Sequence, residues 1–236
     1  MLILASVSPR RRHLLARLDL PFKVVAPRVD EGVLRGRPEP IARRLAAAKA
    51  RAVAAEHPDA VVLAADTVVA YRGILLGKPT NAAEAQAMLQ RLRQWRTHRV
   101  VTAVAVLPPA RTDVRYARLR PGGRRRPLID HATTYVTMRR YTDADIAASI
   151  ARGDPFDKAG AYAIQDERLA PVARYDTLPG PGVGPTVGPG GRGCYCNVMG
   201  LPLWTAIRLL DRAGLDMTRV APADLLPQCA ECPLAP

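Results

Sequence analysis

The chain has 236 residues, 48% of them hydrophobic, and a formal net charge of +14 at pH 7. This length suits one large α/β domain, and the hydrophobic content excludes a wholly disordered chain. No apolar stretch approaches the roughly 20 residues that span a bilayer, and the N-terminus lacks the features of a signal peptide. We therefore expect a cytoplasmic protein without membrane partners. The charge favours polyanionic partners, but only four of the 35 basic residues are lysines, which is typical of an arginine-biased composition.

Apolar periodicity and turn signals predict alternating strands and helices. Strands are predicted at 2–5, 22–25, 60–65, 98–107 and 132–138, with a hairpin over 68–76, and helices at 9–18, 38–56, 81–92, 142–151 and 203–213. Ser8 is the predicted N-cap of the first helix, and Asn81 with Glu84 forms a predicted capping box. This order predicts a single α/β domain with a central mixed β-sheet.

The loop between the first strand and the first helix is the first candidate site. Free backbone N–H groups and the helix dipole favour an anion at a helix N-terminus. Arg10 and Arg11 oppose that dipole, and a bound phosphate chain would offset the conflict. A surface arginine cluster explains the same residues, so the segment 6–11 alone leaves both interpretations open.

Asp66 is the candidate catalytic carboxylate. It follows the buried run at 60–65, at the predicted C-terminal edge of a strand, where α/β sheets bind ligands. There it could hold a divalent metal or take a proton from an attacking water. An aspartate that only begins a turn is the local alternative. Lys49 and Lys78 suit phosphate binding as point charges, although either one alone is more typical of a solvated surface.

A further polar cluster lies at 154–165. Asp157 and Lys158 precede a turn of small residues, and Gln165 ends a predicted short apolar strand. The carboxamide of Gln165 offers both donor and acceptor groups, which together can read the edge of a base.

Eight segments together resemble the Maf family of nucleotide pyrophosphatases, in that family's order and over most of residues 2–210. They are Leu4-Ala5-Ser6-Val7-Ser8-Pro9-Arg10-Arg11, Val29-Asp30-Glu31, Ala47-Ala48-Lys49-Ala50, Ala65-Asp66-Thr67-Val68-Val69, Gly77-Lys78-Pro79, Thr97-His98-Arg99-Val100-Val101-Thr102, Asp157-Lys158-Ala159-Gly160-Ala161-Tyr162-Ala163-Ile164-Gln165 and Val198-Met199-Gly200-Leu201-Pro202-Leu203. The resemblance implies an elongated α/β domain over residues 1–213, similar to inosine triphosphatases, with a central mixed sheet and a cleft between two lobes. Residues 214–236 form a tail beyond it.

The resemblance also implies an activity. Members hydrolyse a nucleoside triphosphate to the monophosphate and pyrophosphate with a divalent metal cation (Mg²⁺ or Mn²⁺), in nucleotide-pool sanitation, and a homodimer is compatible with the family. Carried over by position, Asp66 is the proton acceptor and holds the metal together with Glu31. The residues implied to bind the triphosphate are Ser6, Ser8, Arg10, Arg11, Lys49 and Lys78, with Asp157 and Lys158 in the same site.

Three positions of the family distinguish substrates. Members similar to dTTP/UTP pyrophosphatases carry Arg, Thr and Gln there, whereas members acting on 7-methyl-GTP usually carry Trp, Gln and Glu. This chain has Arg10, Thr67 and Gln165. The resemblance therefore implies dTTP or UTP as substrate, with another or a modified nucleotide as the nearest alternative.

Three features depart from the family pattern. The basic stretch at about 111–128 and the Gly/Pro-rich stretch at about 175–193 are interpreted as insertions. The usual Gly-Ser-Tyr is replaced by Gly193-Cys194-Tyr195-Cys196. Asp166 follows Gln165 where many relatives have Gly, a change that would alter the base pocket.

The four cysteines form two close pairs, Cys194 with Cys196 and Cys229 with Cys232. In a reducing compartment such pairs favour a tetrahedral structural zinc site over disulfides. The tail would then fold back to join the pairs. Four ordinary thiols are the alternative, and we expect no catalytic role for these residues.

A protein of another class also fits part of the pattern. A nucleic-acid-binding or cell-division (septum) regulatory protein would use the arginines to bind a polyanion without hydrolysis. It predicts salt-dependent binding centred on residues 118–126 and little effect of changing Asp66. The enzyme interpretation, which we favour, predicts the reverse and needs no nucleic-acid partner.

Overall fold

The computed structural model describes residues 1–30, 32, 35–110, 125–176, 193–221, 225–230 and 232–235. Glu31 and most of the two predicted insertions, 111–128 and 175–193, lie outside these ranges. None of the helices described in those ranges is both long and apolar enough to cross a membrane.

The described residues form seven strands and seven α-helices. The strands are β1 (Leu2–Leu4), β2 (Phe22–Val24), β3 (Val61–Tyr71), β4 (Ile74–Leu76), β5 (Thr97–Leu107), β6 (Leu128–Met138) and β7 (Val172–Asp176). The helices are α1 (Pro9–Ala16), α2 (Pro38–Glu56), α3 (Ala82–Trp95), α4 (Asp143–Ala151), α5 (Tyr195–Met199), α6 (Leu203–Arg212) and α7 (Pro227–Ala230). All seven strands join one sheet, which confirms the predicted α/β class with a central mixed sheet.

The strand order is β2-β1-β3-β5-β6-β7, with β4 paired to β3. The short strand β1 runs parallel to both of its neighbours, and the other pairings are antiparallel. The pairing of β1 with β3 ends at Leu4 opposite Leu63, whereas β3 continues to Tyr71. The second half of β3 is therefore left without β1 as a neighbour, and a cleft opens there.

Successive side chains of β3 point to opposite faces of the sheet, so the strand contributes to the packing on both faces. Val62 and Ala64 pack beneath α2. A row of small residues on that helix, Ala42, Ala46 and Ala50, recurs at four-residue spacing and faces the sheet, so the helix lies close to it. On the other face, β1 packs with α6 and the segment around α7.

Two details of the central strands differ from the sequence predictions. The run at 60–65 and the first strand of the hairpin at 68–76 are one long strand, β3, which turns at Arg72 and Gly73 into β4. Asp66 is thus not at a strand terminus, since it pairs with Ala103 of β5 within the sheet. The predicted strand end was wrong because the antiparallel pairing with β5 continues past the polar residues Asp66 and Thr67. Neither β7 nor the short helix α5 was predicted.

The helix starts also differ in detail. Ser8 occupies the N-cap of α1, but its side chain makes no capping hydrogen bond. Asn81 accepts the N–H of Glu84, as predicted, while the Glu84 carboxylate accepts from Thr80 and not from Asn81. The complete capping box lies at α4, between Thr142 and Asp145.

Candidate active site

The cleft beside β3 gathers residues from seven separate segments of the chain. It is bordered by the start of α1, the inner face of α2, the middle of β3, the turn before α3, one residue of β5, the segment 157–165 and the end of α5. Its polar lining consists of Ser8, Arg10, Arg11, Lys49, Asp66, Thr67, Lys78, Asp157, Lys158, Tyr162 and Gln165. The cations in this set outnumber the carboxylates by five to two, so the cleft favours a polyanion.

Lys49 and Asp66 form a buried ion pair in this cleft. The Lys49 Nζ lies 2.5 Å from Asp66 Oδ1, and the two side chains are 10% and 7% exposed. The alanine-rich face of α2 brings Lys49 close to the sheet, and β3 holds Asp66 in place. Each buried charge needs the other, because desolvating either alone costs several kcal/mol. Asp66 therefore stands as a charge-balanced carboxylate on the cleft wall.

Arg11 is held by three acceptors from different elements. It donates to the Gly200 carbonyl at 2.9 Å, to Thr67 Oγ1 at 3.2 Å and to Ser6 Oγ at 3.4 Å. Gly200 ends α5 with φ 112°, a left-handed conformation that glycine adopts without strain. These contacts orient the Arg11 guanidinium before any ligand binds.

Arg10 lies nearer the solvent, paired with Asp157 at 2.8 Å. Lys158 binds the same carboxylate and the carbonyl of Asp154. Partial burial alone would raise the pKa of Asp157, but the hydrogen bond from Lys158 and the charges of Arg10 and Lys158 outweigh it and hold that pKa below its ordinary value. Lys78 is exposed and lies in the turn between β4 and α3.

The two serines of the first loop have different roles. Ser6 is buried, and its Oγ accepts the backbone N–H of Ser8 at 3.2 Å. Ser8 lines the cleft at the N-terminus of α1. Its side chain does not cap the helix, and the helix dipole favours an anion at this end.

Gln165 lies on the cleft wall in a turn, so the predicted strand ending at this residue is wrong. Its Oε1 is buried and has no hydrogen-bond partner among the described residues. A buried acceptor without a donor is costly unless a ligand supplies one. Thr67 and Arg10, the other two positions implied to set specificity, border the same cleft.

Sequence reasoning missed several residues that support the site. His98 is fully buried behind Tyr162, with its Nε2 2.7 Å from the tyrosine oxygen, and burial lowers its pKa to about 3. Asn197 is also buried and accepts the N–H of Thr102 at 3.1 Å. His98 lies within a segment that carries the family resemblance and Asn197 directly precedes another, yet a single sequence gives no sign of their contacts.

The predicted catalytic metal would have few protein ligands among the described residues. Among the residues that the structure describes, no group of three or more His, Cys, Asp or Glu side chains is arranged to hold a metal ion. Glu31 lies outside those residues, so Asp66 is the described member of the implied catalytic pair. A single carboxylate still suits Mg²⁺, which commonly uses one or two carboxylates together with substrate phosphates and water.

The four cysteines lie together as two thiol pairs. Cys196 Sγ is 3.0 Å from Cys229 Sγ, and Cys194 is hydrogen-bonded to Cys232. That hydrogen bond raises the pKa of Cys194 and lowers the pKa of Cys232. In a tetrahedral site with Zn–S bonds of about 2.3 Å, the sulfurs lie roughly 3.8 Å apart. The paired arrangement therefore does not fit zinc as it stands.

The fold and the site together define a class of protein: an α/β protein with a cation-lined cleft around one buried carboxylate. A family model described as "Maf-like protein" matches residues 1–179. A dTTP/UTP pyrophosphatase of Thermomicrobium roseum is 52% identical over 237 residues, covering 100% of this chain and 94% of that protein. Proteins of the same name from Moorella thermoacetica and Myxococcus xanthus are 46% and 43% identical, each across 92% of this chain and across 96% and 94% of their own lengths. The chain therefore belongs to the Maf family.

Solved structures give a more distant likeness. A HAM1 protein from Coxiella burnetii aligns with 72% of this chain and 89% of its own length, at 17% sequence identity and a TM-score of 0.38. With so low a sequence identity and TM-score, this likeness supports no conclusion about activity.

Proposed function

We propose that this protein is a nucleoside triphosphate pyrophosphatase that acts on dTTP or UTP in nucleotide-pool sanitation. The observation that carries the proposal is the Asp66 carboxylate, buried beside Lys49 in a cleft with an excess of cations. A triphosphate needs its charge balanced along its length, and hydrolysis needs one carboxylate near the reacting phosphorus. Relatives named dTTP/UTP pyrophosphatase that align with nearly the whole chain support the substrate class.

The phosphates would bind along the cationic side of the cleft. Arg11 is already oriented by its three acceptors, so little side-chain entropy is lost when it engages a phosphate. The N-terminus of α1 adds backbone N–H groups beside it. The more exposed Lys78 would hold the outer phosphates, and Arg10, which borders both the cleft and the side of Gln165, would add positive charge between the two.

Asp66 would orient the attacking water and accept its proton. The water oxygen forms a bond to the α-phosphorus, and the bond from that phosphorus to the bridging oxygen breaks. Pyrophosphate leaves with the bridging oxygen, and the products are the nucleoside monophosphate and pyrophosphate. Lys49 balances the charge of Asp66 before attack and is also placed to approach the phosphate chain.

A divalent cation, Mg²⁺ or Mn²⁺, belongs to this proposal. Asp66 would provide a protein ligand, with Glu31 as the second carboxylate implied by the family. Such an ion supplies charge neutralisation on the phosphate oxygens. Asp66, the described member of that pair, is consistent with an ion that binds together with the nucleotide.

The direct test measures pyrophosphate release from a panel of canonical and modified nucleoside triphosphates, with Mg²⁺ or Mn²⁺. We expect wild type to prefer dTTP and UTP and Asp66→Asn to lose about 10²–10⁴-fold in turnover, the usual contribution of a general base. Asp211→Asn, an exposed substitution on α6, is the matched control and should retain activity. Inactivity of wild type on every nucleotide would refute the proposal, and full activity of Asp66→Asn would favour a different base.

A further inference from the structure

The segment around α7 returns to the body of the protein next to the cleft. Cys229 is 1% exposed and lies against Cys196 of α5, and its carbonyl accepts the Trp204 indole N–H at 3.1 Å. Leu225 is also buried in the core. Arg208 donates to the Leu234 carbonyl at 3.0 Å. Buried contacts thus hold this segment in a defined position.

The anchored segment forms one wall of a cavity that continues from the cleft. This second cavity shares Arg10, Gln165 and Met199 with the cleft, and its outer side includes Leu226 and Gln228. A third cavity is again lined by both Gln165 and Gln228. Gln165 therefore borders all three spaces, and Gln228 faces two of them from the C-terminal segment.

The direction of a bound nucleotide follows from the position of the charges. The cations of the cleft hold the phosphates, so the base lies on the side of Gln165, away from Lys49 and Lys78. Beyond Gln165 the wall is formed by the half-buried Tyr195 and by Gln228. An aromatic ring beside two carboxamides is a surface suited to a planar base with several polar atoms.

Uracil and thymine carry one N–H donor between two carbonyl acceptors. The unpartnered Oε1 of Gln165 can accept the N–H, and its Nε2 can donate to one neighbouring carbonyl. The second carbonyl needs another donor. We propose that Gln228 supplies it and is a second base-reading residue, contributed by the segment 225–230. This inference rests on the proposed function and concerns the base end of the same site.

The test compares Gln228→Ala and Gln228→Glu with wild type, using UTP and CTP. Gln228→Ala removes one hydrogen bond to the base, so we expect the KM for UTP to rise about tenfold with little change in kcat. Gln228→Glu can only accept. At C4, where we place the contact with Gln228, uracil has a carbonyl but cytosine has an amino group. The ratio of kcat/KM for UTP to that for CTP should therefore fall by about tenfold or more.

Gln86→Ala, an exposed glutamine change on α3, is the matched control and should leave both nucleotides unaffected. An equal loss for UTP and CTP with a lower melting temperature would overturn the inference, because it would show that Gln228 only supports the wall. An unchanged ratio in Gln228→Glu would overturn it as well. Calorimetry on the same variants gives the corresponding ratio of UTP and CTP affinities, which does not depend on turnover. Failure of the base-reading role is thereby distinguished from failure of the hydrolase proposal.

Discussion

The hydroxyl oxygen of Thr67 lies 3.0 Å from the hydroxyl oxygen of Thr102, and this contact joins the cleft to the protein interior. On the cleft side, the Thr67 hydroxyl accepts a hydrogen bond from the Arg11 guanidinium. On the interior side, the Thr102 hydroxyl donates to the Asn197 carbonyl at 2.8 Å. The orientation of Arg11 therefore depends on a chain of hydrogen bonds that ends at a fully buried asparagine.

Asn197→Ala should be strongly destabilising. The amide accepts the N–H of Thr102 and donates to the Val100 carbonyl and to Thr134 Oγ1, and each of these groups would lose a buried partner. We expect the free energy of unfolding to fall by about 3 kcal/mol or more. Urea denaturation measures it. Asn81→Ala, which removes only the exposed cap of α3, should cost about 1 kcal/mol, and equal losses in the two variants would contradict this account of Asn197.

Arg11 and Arg10 should respond differently to replacement by lysine. A lysine at position 11 cannot serve the three acceptors that orient the guanidinium. We expect Arg11→Lys to lower kcat/KM for UTP by roughly 10²-fold, the usual loss for a preorganised donor. Arg10 pairs with an exposed carboxylate, so Arg10→Lys should cost less than about tenfold. Steady-state pyrophosphate release gives both values, and the opposite ranking would refute the assigned roles.

His98 should make the protein sensitive to mild acid. Burial lowers its pKa to about 3 in the folded state, against an ordinary value of 6.5. Below pH 6.5 the His98 imidazole is protonated in the unfolded chain but stays neutral in the folded one. The free energy of unfolding therefore falls by about 1.4 kcal/mol per pH unit until about pH 3. The contribution is complete above pH 6.5. His98→Gln should show a shallower decline of the unfolding free energy between pH 6.5 and 4. Parallel curves for the two proteins would exclude this role.

The cysteine arrangement predicts the products of oxidation. With oxidised glutathione, Cys196 and Cys229 would lose two protons and two electrons to form one disulfide, and the oxidant would become two reduced glutathione molecules. Peptide mass mapping should find this linkage, with Cys194 linked to Cys232. Protein purified without added zinc should contain almost none. One zinc per chain, lost when any of the four cysteines is replaced by serine, would show instead that the thiols form a metal site.

The cationic side of the cleft was largely predictable from sequence. Three features can each be interpreted from the local sequence: the helix N-terminus with Pro9 and two arginines, the carboxylate after an apolar run, and the two lysines in an arginine-rich chain. The family resemblance placed them in one site. The structure brings these side chains to the same cleft.

The contacts between distant residues could not be predicted. The Lys49–Asp66 pair depends on how closely α2 packs on the sheet, and the sequence alone gives no distance between them. The full length of β3 depends on its pairing with β5, which overrode the polar break at Asp66 and Thr67. Gln228 has no local pattern at all, since its relation to Gln165 arises from the return of the C-terminal segment.

The shared core of β1 and the α7 segment has a consequence for synthesis. Leu2 and Leu4 belong to the same hydrophobic cluster as Leu225, Cys229 and Cys232. A ribosome working at about 5–20 residues per second makes these two parts roughly 10–45 s apart. During that interval the face of the sheet that carries Leu2 and Leu4 is only partly covered. We therefore expect the nascent protein to keep part of this apolar surface exposed until its C-terminal segment has been made.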